Sequence, residues 1–132
     1  MLKGILKKKL NNDKGFTLAE LLIVVAIIAI LVAVSIPVFT SRLEEAKKST
    51  DLANIRAAKA AAMNLSLDAN ADLTKKYFYD AENGVLKESK DGIKVYGKSK
   101  DVVDGAKWVP KDSILRVTFN SSDNTVVLEW IK

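Results

Sequence analysis

Residues 14–39 read KGFTLAELLIVVAIIAILVAVSIPVF, and this stretch decides how the rest of the chain can fold. The 24 residues at positions 16–39 would form a helix about 36 Å long, because an α-helix rises about 1.5 Å per residue. That length exceeds the hydrocarbon core of a bilayer, which is about 30 Å thick. Since residues 21–34 are apolar on every face, we expect this helix to lie in lipid or to be enclosed by other chains.

Glu20 is the one charged residue at positions 16–39. A carboxylate inside a membrane-spanning segment costs about 3 kcal/mol, so a counter-ion is expected. No lysine or arginine follows before Arg42. Cleavage between Gly15 and Phe16 would create an α-amino group four residues before Glu20, one helical turn away. The carboxylate therefore predicts an ion pair with this new N-terminus, within one chain or between neighbouring subunits.

The sequence KGFTLAE at residues 14–20, followed by the apolar run, resembles the processing motif of type IV pilins and pseudopilins. The resemblance implies that a membrane peptidase cuts between Gly15 and Phe16 and methylates the new N-terminus at Phe16. It also implies that Glu20 is the filament-forming glutamate and that Pro37 is the proline that loosens the packed helix.

One feature of this segment differs from the type IV pilin pattern, and another fits an ordinary signal peptide. Residues 26–29, AIIA, lack the glycine that is often found in the middle of the family's apolar segment. Residues 33–35, AVS, would suit an ordinary signal peptidase, which would release a small secreted binding domain beginning at Ile36. The length of the apolar run and the carboxylate within it argue against that alternative.

The composition excludes several kinds of functional site. With neither cysteine nor histidine in 132 residues, disulfides, thiolate metal sites, His-based zinc sites and Ser-His-Asp triads are impossible. The carboxylates are scattered, so we expect no enzyme activity and no cofactor; a membrane-anchored enzyme is the remaining enzymatic alternative. The lack of cysteine also favours a Gram-positive or anaerobic source, because many pilins of double-membraned bacteria close a loop with a disulfide.

Most of the positive charge lies at the N-terminus. The formal net charge is +5, and the five lysines and one aspartate of residues 1–15 account for +4 of it. By the positive-inside rule these lysines hold residues 1–15 in the cytoplasm and place the C-terminal domain outside. We therefore predict a single-pass membrane protein that is nearly neutral after cleavage.

The sequence divides into four predicted segments. They are a leader at 1–15, a transmembrane and assembly helix at 16–39, an amphipathic continuation of that helix at 40–69, and a globular head at 70–132. Thr17 is predicted to cap the start of the helix and to belong, with Glu20, to the assembly segment. Pro37 removes one backbone hydrogen bond and crowds the preceding turn, so a kink is predicted there.

Residues 42–67 contain neither glycine nor proline and favour a helix with two different faces. One face is predicted to dock on a sheet: Leu52, Ile55, Ala58, Ala62 and Leu65. The other carries mostly small side chains, which would let another helix approach closely: Leu43, Ala46, Thr50, Ala53, Ala57, Ala60 and Asn64. Subunit contacts are predicted on this second face, and alanine used simply as a helix former is the alternative.

Short β-prone runs after the predicted helix end at residues 70–72 indicate a small antiparallel sheet. Residues 77–79 are predicted as an extended connector, and residues 85–88 with 93–96 as a hairpin. A clearer hairpin has Leu115, Val117 and Phe119 on one strand, a turn at 120–124, and Val126, Leu128 and Trp130 on the other. The predicted fold class is α+β, a long N-terminal helix with this sheet packed on its second half.

Two further patterns suggest ligands. Residues 92–99, GIKVYGKS, match the phosphate-loop pattern G-x-x-x-x-G-K-S, but the middle residues are strand-like and too few residues follow for a helix. Nucleotide binding is therefore not predicted. The lysines of residues 87–100 give a local excess of positive charge that could contact DNA along a filament, or could be a solvated face.

These observations together favour a structural function. We expect a type IV pilus subunit that is inserted as a prepilin, cleaved, N-methylated, and polymerised through its N-terminal helix for adhesion, motility or DNA uptake. A pseudopilin of a type II secretion or competence machine is the alternative. The resemblance implies these partners: further copies of the chain, a prepilin peptidase and methyltransferase, an assembly platform with its ATPase, and membrane lipid before assembly. The location would be the cell membrane and then the surface pilus.

Overall fold

The computed structural model describes residues 17–132 and contains one helix and one sheet. Helix α1 covers Leu18–Ser66. The strands are β1 (Tyr77–Asp80), β2 (Val85–Lys87), β3 (Ile114–Asn120) and β4 (Thr125–Ile131). They form one antiparallel sheet in the order β2-β1-β3-β4. This α+β arrangement, with the sheet packed against the helix, confirms the predicted fold class.

The chain divides into two compact units between Ser41 and Arg42. The described part of the first unit, residues 17–41, is helical from Leu18 onward, and its side chains are exposed throughout. The second unit, Arg42–Lys132, contains the rest of α1, the four strands and the hydrophobic core.

Small residues of α1 let the sheet approach the helix closely. Ala58 and Ala62 are fully buried and Ile55 is almost so, in one cluster with Leu115 and Val117 of β3. Their spacings of three and four residues place the helical members on one face. Burial of a side chain the size of isoleucine contributes about 1.5–3 kcal/mol. The predicted sheet-facing stripe of the helix is therefore confirmed.

Helix α1 continues through Pro37. Proline lacks the N–H group that would bond the carbonyl of Ala33. Three residues later, the Thr40 hydroxyl donates a hydrogen bond to the Ile36 carbonyl at 3.0 Å, a contact that often bends helices slightly. Both features favour a bend, and the kink stays a prediction.

The helix ends at Ser66, ahead of the predicted end at residues 70–72. The Ser66 hydroxyl donates to the Met63 carbonyl, and the Asp68 N–H donates to the Leu65 carbonyl three residues earlier. The Asp68 carboxylate then accepts the N–H of Asn70 at 2.9 Å. Short polar side chains thus compete with the helical hydrogen bonds and stop the helix early.

Strands β3 and β4 form the predicted hairpin. The register pairs Asn120 with Thr125 across the turn, where Asn124 adopts a φ of 62°. Asparagine is among the residues that tolerate this left-handed conformation. The most deeply buried of the predicted inward-facing residues are Leu115, Val117, Leu128 and Trp130.

The predicted hairpin between residues 85–88 and 93–96 is wrong. Strand β2 pairs with β1 instead, so the predicted connector at residues 77–79 is a strand in the interior of the sheet. The Asp80 carboxylate accepts the N–H groups of Glu82 and Asn83, and Gly84 at φ 69° completes a tight turn that joins β1 to β2. Residues 93–96 form no strand; the Tyr96 N–H bonds the Ser113 carbonyl.

Candidate functional site

The start of α1 is held by a reciprocal pair of hydrogen bonds between Thr17 and Glu20. The Glu20 N–H donates to the Thr17 hydroxyl at 3.1 Å, and the Thr17 N–H donates to a Glu20 carboxylate oxygen at 3.4 Å. This is a capping box, which satisfies two N–H groups that would otherwise lack partners at a helix start. The carboxylate also lies at the positive end of the helix dipole. The geometry thus gives Glu20 a capping role that the sequence analysis missed, although the spacing T-x-x-E indicates it.

The apolar segment that follows is uncovered. Every residue from 17 to 41 is exposed, with exposed fractions from 46% at Val32 to 75% at Leu18 among its large apolar side chains. By length and composition, α1 is long and apolar enough to cross a membrane. The arrangement presents a continuous apolar surface that lipid or other apolar helices can cover.

The predicted site residues are distributed along the helix axis. Thr17 and Glu20 lie together at its start, whereas Pro37 lies 17 positions after Glu20, about 26 Å away at 1.5 Å per residue. Gly15 and Phe16, the predicted cleavage and methylation positions, lie outside the described residues, as does the rest of the predicted leader at 1–15.

The predicted contact face of the second half of α1 is also uncovered by the sheet. All seven of its members are exposed, and they are Leu43, Ala46, Thr50, Ala53, Ala57, Ala60 and Asn64. Its role in subunit contacts stays a prediction.

Two N–H groups of the phosphate-loop match bind a carboxylate from helix α1. The N–H groups of Lys98 and Ser99 donate to the two carboxylate oxygens of Asp51, at 2.9 and 2.6 Å. Gly97 lies so close to the Pro110 carbonyl that a Cβ atom would sit 1.8 Å from its oxygen, so only glycine fits. The carboxylate therefore takes the place that a phosphate would occupy on these amides.

Asp51 is a further residue that the sequence analysis missed. It is fully buried on α1, four residues before Ile55 on the stripe that faces the sheet. A carboxylate within an otherwise apolar stripe is the signal that could have found it. Its function is structural, because its hydrogen bonds hold the loop between β2 and β3 against the helix.

Several side chains in the head have shifted pKa values, and three of them form hydrogen bonds within the turn or with the sheet. Hydrogen bonds from Asn83 and then Lys87 lower the pKa of Asp80 to about 2, from an ordinary value of 3.8. The hydrogen bond from Arg116, 2.8 Å from Glu129, lowers the pKa of that glutamate. Burial raises the pKa of Tyr96, whose hydroxyl donates to the Tyr79 carbonyl at 2.8 Å. These groups stabilise the turn and the sheet.

The predicted lysine run is partly neutralised within the head. Lys87 pairs with Asp80 at 2.9 Å and Lys94 with Glu82 at 3.4 Å. Contact of this run with DNA and a solvated face both stay open interpretations. Within residues 17–132, no group of three His, Cys, Asp or Glu side chains is arranged to hold a metal ion.

Comparison with known families finds a match at the N-terminus. The model of the prokaryotic N-terminal methylation motif matches residues 10–36, which include Thr17, Glu20 and much of the apolar segment. No solved structure matches the chain.

Proposed function

We propose that this chain, whose residues 10–36 match the prokaryotic N-terminal methylation motif, is the structural subunit of a type IV pilus. The prepilin is inserted in the membrane with residues 1–15 in the cytoplasm and the head outside. It is then cut between Gly15 and Phe16, methylated at Phe16, and polymerised through α1.

The exposed apolar helix is the observation that carries this proposal. Removing one large apolar side chain from water is worth about 1.5–3 kcal/mol, and the segment up to Phe39 exposes many of them. Lipid covers this surface before assembly, and the helices of neighbouring subunits cover it afterwards. Since burial is favourable in both settings, the exchange needs a directional interaction to guide it.

Glu20 supplies that direction. In the filament its carboxylate pairs with the ammonium group of Phe16 on an adjacent subunit. Charge pairing is strong in an apolar bundle, where the effective dielectric constant is low. The capping box supports this role, because it fixes the carboxylate at the very start of the helix, and Phe16 directly precedes Thr17 in the sequence.

The remaining partners and the location follow from the same proposal. A prepilin peptidase and methyltransferase processes the chain, and an assembly platform with its ATPase extracts it from the membrane. The assembled filament lies on the surface of a bacterium, and the lack of cysteine favours a Gram-positive one. A pseudopilin of a type II secretion or competence machine would share the motif but would not form abundant long surface fibres.

N-terminal sequencing with mass analysis of the mature protein tests this proposal. We expect Phe16 as the first residue, carrying one additional methyl group. The substitution Gly15→Val should abolish cleavage, whereas Gly4→Val within the leader is the matched control and should leave it intact. A mature chain that begins at Met1 or Ile36 would contradict the proposal.

A further inference from the structure

An exposed tryptophan stands at one edge of the sheet. Trp108 is 64% exposed and its neighbour Val109 is 42% exposed. The adjacent Lys107 fixes their position, because its N–H donates to the Leu128 carbonyl at 2.8 Å and its carbonyl accepts the Trp130 N–H at 3.0 Å. These bonds lie on the side of β4 that faces away from β3. We call Trp108 and Val109 the tryptophan knob.

The backbone and side chain of Trp108 are both held in place. Its φ is 71°, a left-handed conformation that bulky side chains rarely adopt. Its indole N–H points at a Glu129 carboxylate oxygen, 3.4 Å away. Conformational strain of this kind persists where the surrounding structure enforces it, and it often accompanies function. The large apolar ring is thus displayed on the surface in a fixed position.

A groove lies at the opposite edge of the sheet, between the last turns of α1 and strand β2. Its volume is about 360 Å³, and it is open to solvent. It is lined by Ala61 and Leu65 of the helix, Val85 and Leu86 of the strand, and Asp68 just after the helix. We call it the β2 groove. Specific binding pockets for small ligands have volumes of about 300–1,000 Å³, so a tryptophan side chain is within its capacity.

The knob and the groove have complementary chemistry. Both present apolar surface. Glu129 beside the knob is paired with Arg116 at 2.8 Å, which leaves the exposed Lys107 as the unbalanced charge there, whereas the groove contains the exposed carboxylate of Asp68. Strand order places them four interstrand spacings apart, about 19 Å, so the knob cannot reach the groove of its own head. A second copy of the chain can present the complementary surface.

We propose that the tryptophan knob of one subunit inserts into the β2 groove of a neighbouring subunit in the filament. This inference rests on the proposed function as a filament subunit. The contact joins two different surfaces, so it is heterologous, and such contacts propagate into open helical assemblies. Tryptophan is enriched among the residues that dominate binding energy at protein interfaces, which fits a small contact repeated along a polymer.

Cysteine pairs test the contact, because the natural chain contains no cysteine. In filaments carrying both Val109→Cys and Val85→Cys, treatment with a short bismaleimide should give a ladder of dimers, trimers and longer oligomers. Filaments mixed from the two single variants should give dimers and no ladder. Val102→Cys with Val85→Cys is the matched control, since Val102 is 63% exposed but lies outside the knob, and it should give no ladder. An absent ladder, or an equal one from the control pair, would overturn the proposal.

Charge reversal gives an independent readout. Lys107→Glu and Asp68→Lys should each reduce filament yield at least fivefold, and the double variant should restore at least half of the wild-type yield. Trp108→Ala should reduce the yield at least tenfold, whereas Val102→Ala should leave it unchanged. Each variant is first checked for a mature N-terminus at Phe16 and for a wild-type circular dichroism spectrum in detergent.

The outcomes separate this inference from the proposed function. Wild-type chains that never begin at Phe16 and never form filaments would reject the proposed function itself. Normal filaments from Trp108→Ala, or charge reversals that do not compensate each other, would reject only the contact between knob and groove.

Discussion

Glu20 has one observed and one proposed partner, and the two require different chemical properties of its side chain. In the capping box its oxygen accepts the Thr17 N–H, and this requires only a hydrogen-bond acceptor. In the proposed filament it pairs with the Phe16 ammonium of a neighbour, and this requires a charge. Glutamine keeps an acceptor and removes the charge, so it distinguishes the two roles.

We expect Glu20→Gln and Glu20→Ala to be processed normally but to lower filament yield by roughly tenfold or more, a factor that corresponds to about 1.4 kcal/mol. The yield is measured on filaments sheared from cells, with the mature N-terminus checked by sequencing. Thr17→Ala, which removes the hydroxyl that accepts the Glu20 N–H but keeps the charge of Glu20, should lower the yield less than Glu20→Gln does. Wild-type yield from Glu20→Gln would show that the acceptor suffices and would refute the ion pair.

Asp51 holds the long loop between β2 and β3 against helix α1. We expect Asp51→Ala to lower the free energy of unfolding by about 2–4 kcal/mol, because it leaves the N–H groups of Lys98 and Ser99 without their acceptor. Thermal unfolding of the full chain in detergent, followed by tryptophan fluorescence, measures this loss. Asp101→Ala is the matched control; it removes only the exposed ion pair with Lys48 and should cost less than about 1 kcal/mol. Equal losses from both variants would contradict this role of Asp51.

At the scale of elements, the turn between β1 and β2 depends on one ionised side chain. Asp80 accepts hydrogen bonds from the backbone of Glu82 and Asn83 and from the Asn83 amide, and it pairs with Lys87. Because the pKa of Asp80 is about 2 in the folded protein and 3.8 ordinarily, its ionised form favours folding. This contribution is fully present above the ordinary pKa and is lost as the pH falls towards 2.

We therefore expect the wild-type head to lose stability between about pH 5 and pH 2 more steeply than Asp80→Asn. The other carboxylates with lowered pKa values, Asp72, Asp123 and Glu129, are present in both proteins, so the difference between the two proteins isolates Asp80. Urea unfolding of the full chain in detergent at a series of pH values gives, for each protein, the slope of the free energy of unfolding against pH. Parallel curves for the two proteins would contradict the assignment.

At the scale of the whole molecule, the apolar surface and the hydrophobic core belong to different units. The second unit, Arg42–Lys132, holds the core, while the large side chains of residues 18–39 are exposed. We expect a fragment of residues 42–132 to unfold cooperatively and to sediment as a monomer without detergent. At the same protein concentration, the full chain should require detergent to stay monomeric. A fragment that is unfolded, or that aggregates as the full chain does, would contradict this division of the molecule.

The sequence was sufficient where a single periodicity or spacing fixes the structure. The uninterrupted apolar run predicted the helix, the stripe at Ile55, Ala58 and Ala62 predicted its sheet-facing side, and the alternation around Val117 and Leu128 predicted the β3–β4 hairpin. The motif at residues 14–20 lies within residues 10–36, which the model of the prokaryotic N-terminal methylation motif matches. Each of these signals is local, so neighbouring residues contain all the information needed.

Only the tertiary structure decided which short strands pair and which groups form hydrogen bonds with the irregular loop between β2 and β3. Residues 85–87 could pair with either neighbour in sequence, and the Asp80 hydrogen bonds that favour β1 arise from turn geometry rather than from periodicity. The bonds from Asp51 to Lys98 and Ser99 join residues 47 and 48 positions apart, a separation over which no local pattern acts. The sequence by itself determined the helix and its N-terminal methylation motif, whereas the turn bonds of Asp80 and the long-range bonds of Asp51 decided the arrangement of the head.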